Sequence, residues 1–301
     1  MKICVTKFNQ DAWTLHAHKL FTDALKKSNF FNKVDSLNGY PDKNNFYDII
    51  IVCGIRSLFK DQVDLIRLKK NTAYICDMSD FDQDKRSTIE DLTFFFVPSK
   101  SPSSKFKFLP KPIDDNLLFP SHEKSEPMTV FVDHFGATNN GEIQVSKDAL
   151  KKVFDEIKLC PFPLRVFYQH STGIIENPTY PEYPLEGRKL NIKFLPFQEI
   201  SKYYRKTHIF FPTHLESQGM LAQEIGLCGG LTVMQPWMYP QQSYDQFSKV
   251  IYSFGDRINW ESLKNFMTNE QIIKNRKIVL NHCSFVKFQT SLVNHIKEIF
   301  E

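Results

Sequence analysis

The sequence predicts an α/β fold divided between two domains, and three observations lead there. Its 301 residues exceed the length at which a single hydrophobic core keeps growing. Short apolar runs alternate with amphipathic stretches along the chain, as in βαβ units around mostly parallel sheets. A proline-rich polar segment interrupts that alternation, from Pro110-Lys111-Pro112 through Phe119-Pro120 to Glu126-Pro127. Proline fixes φ and restricts its predecessor, so this segment reads as a stiff connector between domains.

Before the connector, Lys2–Thr6 reads as a strand and Asp11–Lys27 as a helix, with Trp13, Ala17, Leu20, Phe21 and Ala24 at helical spacing. Tyr47–Cys53 contains a continuous apolar run closed by Gly54, the mark of a central parallel strand. Thr72–Cys76, Leu92–Val97 and Phe106–Leu109 continue the series. Beyond the connector come strand Met128–Asp133, helix Val145–Ile157 and strand Leu164–Tyr168. A proline-rich loop over Ile174–Arg188 leads to strand Leu190–Phe194, helix Phe197–Arg205 and strand His208–Phe211. Helix Gln218–Cys228 and strands Leu231–Met234 and Lys249–Phe254 follow. The chain closes with a helix over Trp260–Met267 and a longer one from Glu270 to Phe300, broken near His282–Ser284.

Composition narrows the class. With 42% hydrophobic and 24% charged residues the chain is ordinary globular material, and its many phenylalanines fall in strand-like runs that read as core. No stretch approaches the roughly 20 apolar residues of a spanning helix, and the N-terminal apolar run is too short for a secretory signal. Six scattered cysteines without a CxxC pair point to a reducing, cytoplasmic setting with no disulfide framework and no cysteine zinc site. The net charge of +4 is too mild to argue for nucleic acid. It suits an anionic ligand or peripheral contact at the inner face of a membrane, and solvated lysines explain it equally well. The thin basic run Lys100, Lys105, Lys107, Lys111 is read in the same way, as surface loop. No G-x-S-x-G, P-loop or G-x-G-x-x-G occurs, which weighs against hydrolase, NTPase and dinucleotide readings.

The chemistry concentrates between Phe194 and Gln235. A helix leads into a strand ending at Pro212, a loop bears Glu216, and a second helix stops at Gly229-Gly230. Parallel sheets bind ligands outside the carboxyl ends of their strands, where this loop would lie. The helix start offers the backbone N–H groups of Gln218, Gly219, Met220 and Leu221, which with the helix dipole suit a diphosphate. Gly219 lets the backbone approach the phosphate closely. Glu224 is placed to accept ribose hydroxyls, and Glu216 to face a hexose.

Here the sequence resembles the GT-B glycosyltransferases, and within them glycosyltransferase family 4. That family's hallmark reads P-S-x-x-E-G-F-G-x-x-x-x-E-A-x-A-x-G-x-P-V, and Pro212, Thr213, Glu216, Gly219, Glu224 and Gly229 or Gly230 fall in register with it. Leu195-Pro196, Glu199-Ile200 and Tyr203-Tyr204 match its lead-in helix, and Pro112-Ile113-Asp114 with Leu118-Phe119-Pro120 match its interdomain segment. Ser217-Gln218 depart from the usual Gly-Phe, Phe8-Asn9-Gln10 stand in place of an N-terminal Gly-Gly loop, and Asp133-His134-Phe135-Gly136 stand where an arginine is common.

The resemblance implies two Rossmann-like domains facing each other across a cleft. Residues 1–118 would be the acceptor side, 119–285 the nucleotide-sugar domain, and 286–301 a helix packing back on the first. It implies a retaining, metal-independent transfer of a hexose from a nucleoside-diphosphate sugar to a glycan or lipid-linked saccharide, with no further cofactor. Glu216 and His16 take catalytic positions in that scheme. Thr213, Ser217, Gln218, Gly219, Met220, Leu221 and Glu224 line the donor, with His134 at the crevice edge and Lys147 as the lysine candidate. Asp77 and Asp80, after a strand of the first domain, fall on the acceptor side.

Blander readings stand beside these. His16 and His18 lie nearly opposite each other around a helix, so they cannot share a metal, and either is also at home as a solvated or capping residue. Asp77, Ser79 and Asp80 also suit simple turn or cap chemistry. Asp80-Phe81-Asp82 contains D-x-D, the metal-holding motif of GT-A transferases, but its charged surroundings favour a solvated turn. Two other functions remain open: a nucleotide-sugar-binding protein without transfer activity, and a phage-type transferase acting on modified DNA.

Overall fold

The computed structural model describes residues 1–7, 12–39, 41–42, 44–53, 73–77, 94–97, 106–109, 113–121, 127–133, 140–170, 173–178, 195–214, 220–239, 241–253 and 255–300. The chain forms two compact units, one made of Met1–Pro112 with Phe285–Glu301, the other of Ile113–Ser284.

The first unit is built on a six-stranded parallel sheet. Its strands are β1 (Lys2–Lys7), β2 (Lys33–Asn38), β3 (Ile49–Cys53), β4 (Ala73–Asp77), β5 (Phe94–Val97) and β6 (Phe106–Phe108), in the spatial order β2-β1-β3-β4-β5-β6. Ile3, Cys4 and Val5 of β1 and all of β3 are buried, as expected for strands covered on both faces. β2 is an edge strand, paired with β1 from Lys2↔Lys33 to Lys7↔Asn38, and it is largely polar. Helix α1 (Ala12–Lys27) turns Ala17, Leu20, Phe21, Ala24 and Leu25 to the core, and its last turn carries Lys26 and Lys27 at the negative end of the helix dipole.

The second unit carries β7 (Met128–Val132), β8 (Leu164–His170), β9 (Gly173–Glu176), β10 (Ile209–Phe211), β11 (Leu231–Met234) and β12 (Lys249–Ile251), in the order β12-β11-β10-β7-β8-β9. All pairs are parallel except β8 with β9. Alternation along the central strands feeds two cores. Phe131, Phe210 and Met234 pack with α3 (Phe197–Lys206), α4 (Met220–Leu227) and α6 (Asn269–Cys283). Val130, Val132, Ile209 and Phe211 face α2 (Asn140–Lys158) and α5 (Trp260–Lys264) on the other side. Helices on both faces of a mostly parallel sheet make a doubly wound unit.

Several elements depart from expectation. β2 carries no apolar run and is defined by its backbone pairing with β1. Within the expected loop Ile174–Arg188, Gly173–Glu176 pairs antiparallel with β8. The expected strand Leu190–Phe194 lies outside the described residues. The divide between units falls at Pro112/Ile113 and not after residue 118, because Ile113 and Leu118 are 1% and 0% exposed within the core of the second unit.

The helical break does fall at Ser284, whose extended backbone (φ −64°, ψ 153°) ends α6 before α7 (Phe285–Phe300) begins. Ile113 donates its N–H to the carbonyl of Cys283 at 3.3 Å, so the chain enters and leaves the second unit side by side. Helix α7 completes the first unit. Phe288, Leu292 and Ile296 are at most 1% exposed, and Phe288 meets Phe21 edge to face at 5.1 Å. Gln289 donates to the carbonyl of Ala24 at 2.8 Å.

Candidate functional site

In the second unit the strand order reverses between β7 and β10, which marks the carboxyl ends of these strands as the ligand crevice. β7 delivers Asp133 to this point, and β10 delivers Pro212, Thr213 and His214. The N–H of Asp133 donates to the carbonyl of Phe211 at 3.0 Å, stitching the two strand ends together. Asp133 and Thr213 are 1% and 0% exposed. The imidazole Nδ1 of His214 lies 3.5 Å from Oδ2 of Asp133, with only 12% of its side chain exposed.

Helix α4 brings up the third wall. It is buried all round from Ala222 to Leu227, so packing, more than amphipathicity, holds it. Its end is a Schellman motif: Gly230 N–H returns to Ile225 O at 2.9 Å and Gly229 N–H to Gly226 O at 2.8 Å. Gly229 has φ +83°, and a Cβ there would clash with Cγ2 of Ile272. The glycine pair therefore has a local structural reason. Arg276 donates to the carbonyls of Leu227 and Leu118, each at 2.6 Å, setting a cation at the negative end of α4.

Glu224 sits just past the first turn of α4 and is 8% exposed. Among the described residues its carboxyl has no hydrogen-bonding or charged partner, and burial alone raises it to about 8. Glu156, also deeply buried, is placed differently. It accepts from Lys152 at 2.8 Å and from the N–H of Ile258 at 3.0 Å. The hydroxyl of Tyr204 on α3 is pushed well up by burial first, then by the charges of Glu224 and Asp133. Those three groups thus share one electrostatic neighbourhood.

The structure gathers some of the expected residues and leaves others out of view. Thr213, Glu224, Met220 and Leu221 belong to the β10–α4 passage, the last two half-buried at the start of α4. Lys147 is half-buried in the second turn of α2, the helix after β7. Asp77 is the last residue of β4, and His16 is half-buried in the second turn of α1, both in the first unit. Its neighbour His18 faces the sheet, with Nε2 3.1 Å from the carbonyl of Val5 and the imidazole pushed down by burial. His18 is core. Glu216, Ser217, Gln218, Gly219, His134, Ser79, Asp80, Lys100, Lys105 and Lys111 lie outside the described residues.

Sequence reasoning passed over the Asp133–His214 pair as a unit. Asp133 directly follows β7 and His214 lies three residues past the end of β10, and those positions were the available signal; their adjacency comes only from the pairing of β7 with β10. A cavity of about 390 Å³ lined by Leu231, Tyr244, Lys249, Lys274, Asn281 and His282 opens at the amino ends of β11 and β12, at the opposite end of the sheet. Among the described residues no group of three His, Cys, Asp or Glu side chains is placed to hold a metal ion, and no helix is long and apolar enough to cross a membrane.

At the level of sequence the chain matches neither a protein-family profile nor a curated protein. Its fold has counterparts among solved structures. Sucrose-phosphate synthase from Thermosynechococcus elongatus is 10% identical over 99% of both chains, with a TM-score of 0.66. HepE from Anabaena, solved in complex with UDP-glucose, is 12% identical over 99% of this chain and 100% of that one, with a TM-score of 0.61. MurG from Acinetobacter baumannii is 10% identical over 99% and 100%, with a TM-score of 0.52. The architecture is the GT-B fold of glycosyltransferases, two Rossmann-like α/β domains. At such identities the likeness is one of fold.

Proposed function

We propose that this protein is a glycosyltransferase that moves a hexose from a nucleoside-diphosphate sugar to a glycan or lipid-linked saccharide, with retention and without metal, as the resemblance to family 4 implies. The observation that carries this reading is the carboxyl of Glu224, 8% exposed and raised to about 8 by burial, beside the switch point of the second unit. Burying such a group unpaired is costly, and a ligand that supplies two hydroxyl donors removes the cost. The ribose of a nucleotide sugar is that kind of ligand. Support comes also from HepE, whose fold this chain shares and which was solved with UDP-glucose.

In this reading Glu224 takes the ribose, and the backbone N–H groups of Gln218 to Leu221 cradle the diphosphate. Thr213, Ser217, His134 and Lys147 complete the donor side, while Glu216 orients the hexose. His16, Asp77 and Asp80 serve the acceptor. Positioning of the donor and stabilisation of the departing diphosphate supply most of the acceleration.

A thermal-shift panel of UDP-, GDP-, ADP- and CMP-sugars on the wild type and on Glu224→Ala tests it. One donor should raise the melting temperature of the wild type, and the rise should vanish in the variant. If no donor moves the wild type while a control transferase responds, the reading fails. With a donor in hand, Glu216→Ala should lower transfer while keeping donor binding.

A further inference from the structure

We propose that the cavity at the amino ends of β11 and β12 is a second ligand site, which takes a monosaccharide carrying one anionic group. It lies within the second unit, at the end of the sheet opposite the switch point, so the inference does not rest on the donor-site reading. Its volume of about 390 Å³ falls in the lower part of the range of small-molecule sites, and an inorganic anion alone would fill little of it.

Two pinned walls shape it. On one side α6 presents Gln271, Lys274, Ile278, Asn281 and His282, spaced so that they share one face of the helix. Other residues of α6 fix it in place: Asn275 donates to the carbonyl of Gly229 at 3.1 Å, and Arg276 to that of Leu227 at 2.6 Å. On the other side the Lys249 ammonium donates to the carbonyl of Tyr244 at 2.6 Å, and the Tyr244 hydroxyl to that of Pro236 at 2.7 Å. Contacts within the chain thus hold both walls, which lowers the ordering cost of binding. The polar lining suits an anion flanked by hydroxyls. Lys249 commits one of its ammonium N–H groups to Tyr244 and keeps the others. Lys274, Asn281 and His282 have no side-chain hydrogen bond or ion pair among the described residues. Asp245 is the lone carboxylate of the described lining, so the lysines outnumber it. That carboxylate and the Asn281 amide suit sugar hydroxyls, while Phe266 and Ile278 offer apolar surface to the C–H face of a ring. A neutral sugar forgoes the lysines, and a purely apolar ligand forgoes the amide and the carboxylate.

Calorimetry with glucose 6-phosphate, mannose 6-phosphate, glucuronate, glucose and inorganic phosphate tests it. At least one of the three anionic sugars should bind below about 1 mM, with glucose and inorganic phosphate each at least about tenfold weaker. The two phosphates against glucuronate tell a phosphate ligand from a carboxylate one. Lys274→Ala should weaken binding of that sugar roughly tenfold to hundredfold, and Lys274→Arg should keep most of the affinity. Asn281→Asp, which brings a further carboxylate to the lining, should weaken it as well. Lys277→Ala removes an exposed cation of the same helix outside the lining and should leave the affinity unchanged. So should Glu224→Ala, because the donor crevice lies at the other end of the sheet. Absence of binding by all three anionic sugars overturns the inference, and so does binding that Lys274→Ala and Asn281→Asp leave intact. Equal loss in Lys277→Ala reduces the effect to general surface charge, and loss in Glu224→Ala moves the sugar to the donor crevice; either overturns it too. The proposed function stands or falls separately, on the nucleotide-sugar melting panel.

Discussion

At the scale of single residues, Glu224 links stability to pH and, under the proposed function, to ligand binding. Its carboxyl is raised by burial from an ordinary value of 4.5 to about 8, so between those limits the folded chain holds a proton that the unfolded chain has released. Stability therefore falls as pH rises across that window, by an amount on the order of a few kcal/mol. Glu224→Gln removes the titration. The variant should melt higher than the wild type at pH 9 and show no such advantage at pH 5, while binding sugar nucleotides more weakly. Melting curves at the two pH values, with and without donor, check both halves. At the same scale, the placement of Glu224 in the helix after β10 was legible in sequence because the strand before it and the glycine pair after it frame that helix, while its role stays a proposal. The Asp133–His214 contact was not, since its partners meet only when β7 pairs with β10.

The elements explain which parts of the fold a sequence displays. β11 is visible because Leu231–Met234 is apolar throughout and all four residues are buried. β2 and β9 stay hidden because both are edge strands with half-exposed faces, so nothing in their side chains has to alternate cleanly. The end of α4 is legible for a further reason. Gly229 takes a left-handed conformation against Ile272, which only glycine accommodates. Gly229→Ala combines that backbone strain with a steric clash and should cost about 2–4 kcal/mol in chemical denaturation. Because this loosens the helix carrying Glu224, donor affinity should fall as well, and calorimetry on the variant measures it.

Across the whole molecule, the first unit depends on a helix that follows the second in sequence. Phe288→Ala deletes the ring that meets Phe21 and should cost about 3–5 kcal/mol. Hydrogen exchange should show the loss of protection in α1, β1 and β3, with α4 and α6 keeping theirs. Equal loss in both units would mean that they unfold as one. The domain architecture itself was legible, because length, alternation and the proline-rich connector are properties of long stretches. The position of the divide was less so: burial of Ile113 and Leu118, and not proline content, decides where the second unit starts.

Placing α7 in the core of the first unit also orders events at the ribosome. Residues 1–112 emerge before the second unit, yet the face of α1 that Phe288, Leu292 and Ile296 cover stays bare until the second unit has been made. At about 5–20 residues per second that interval lasts on the order of ten to thirty seconds. A nascent chain with an uncovered apolar face for that long is a natural client for chaperones, and the unit begun first is the one finished last.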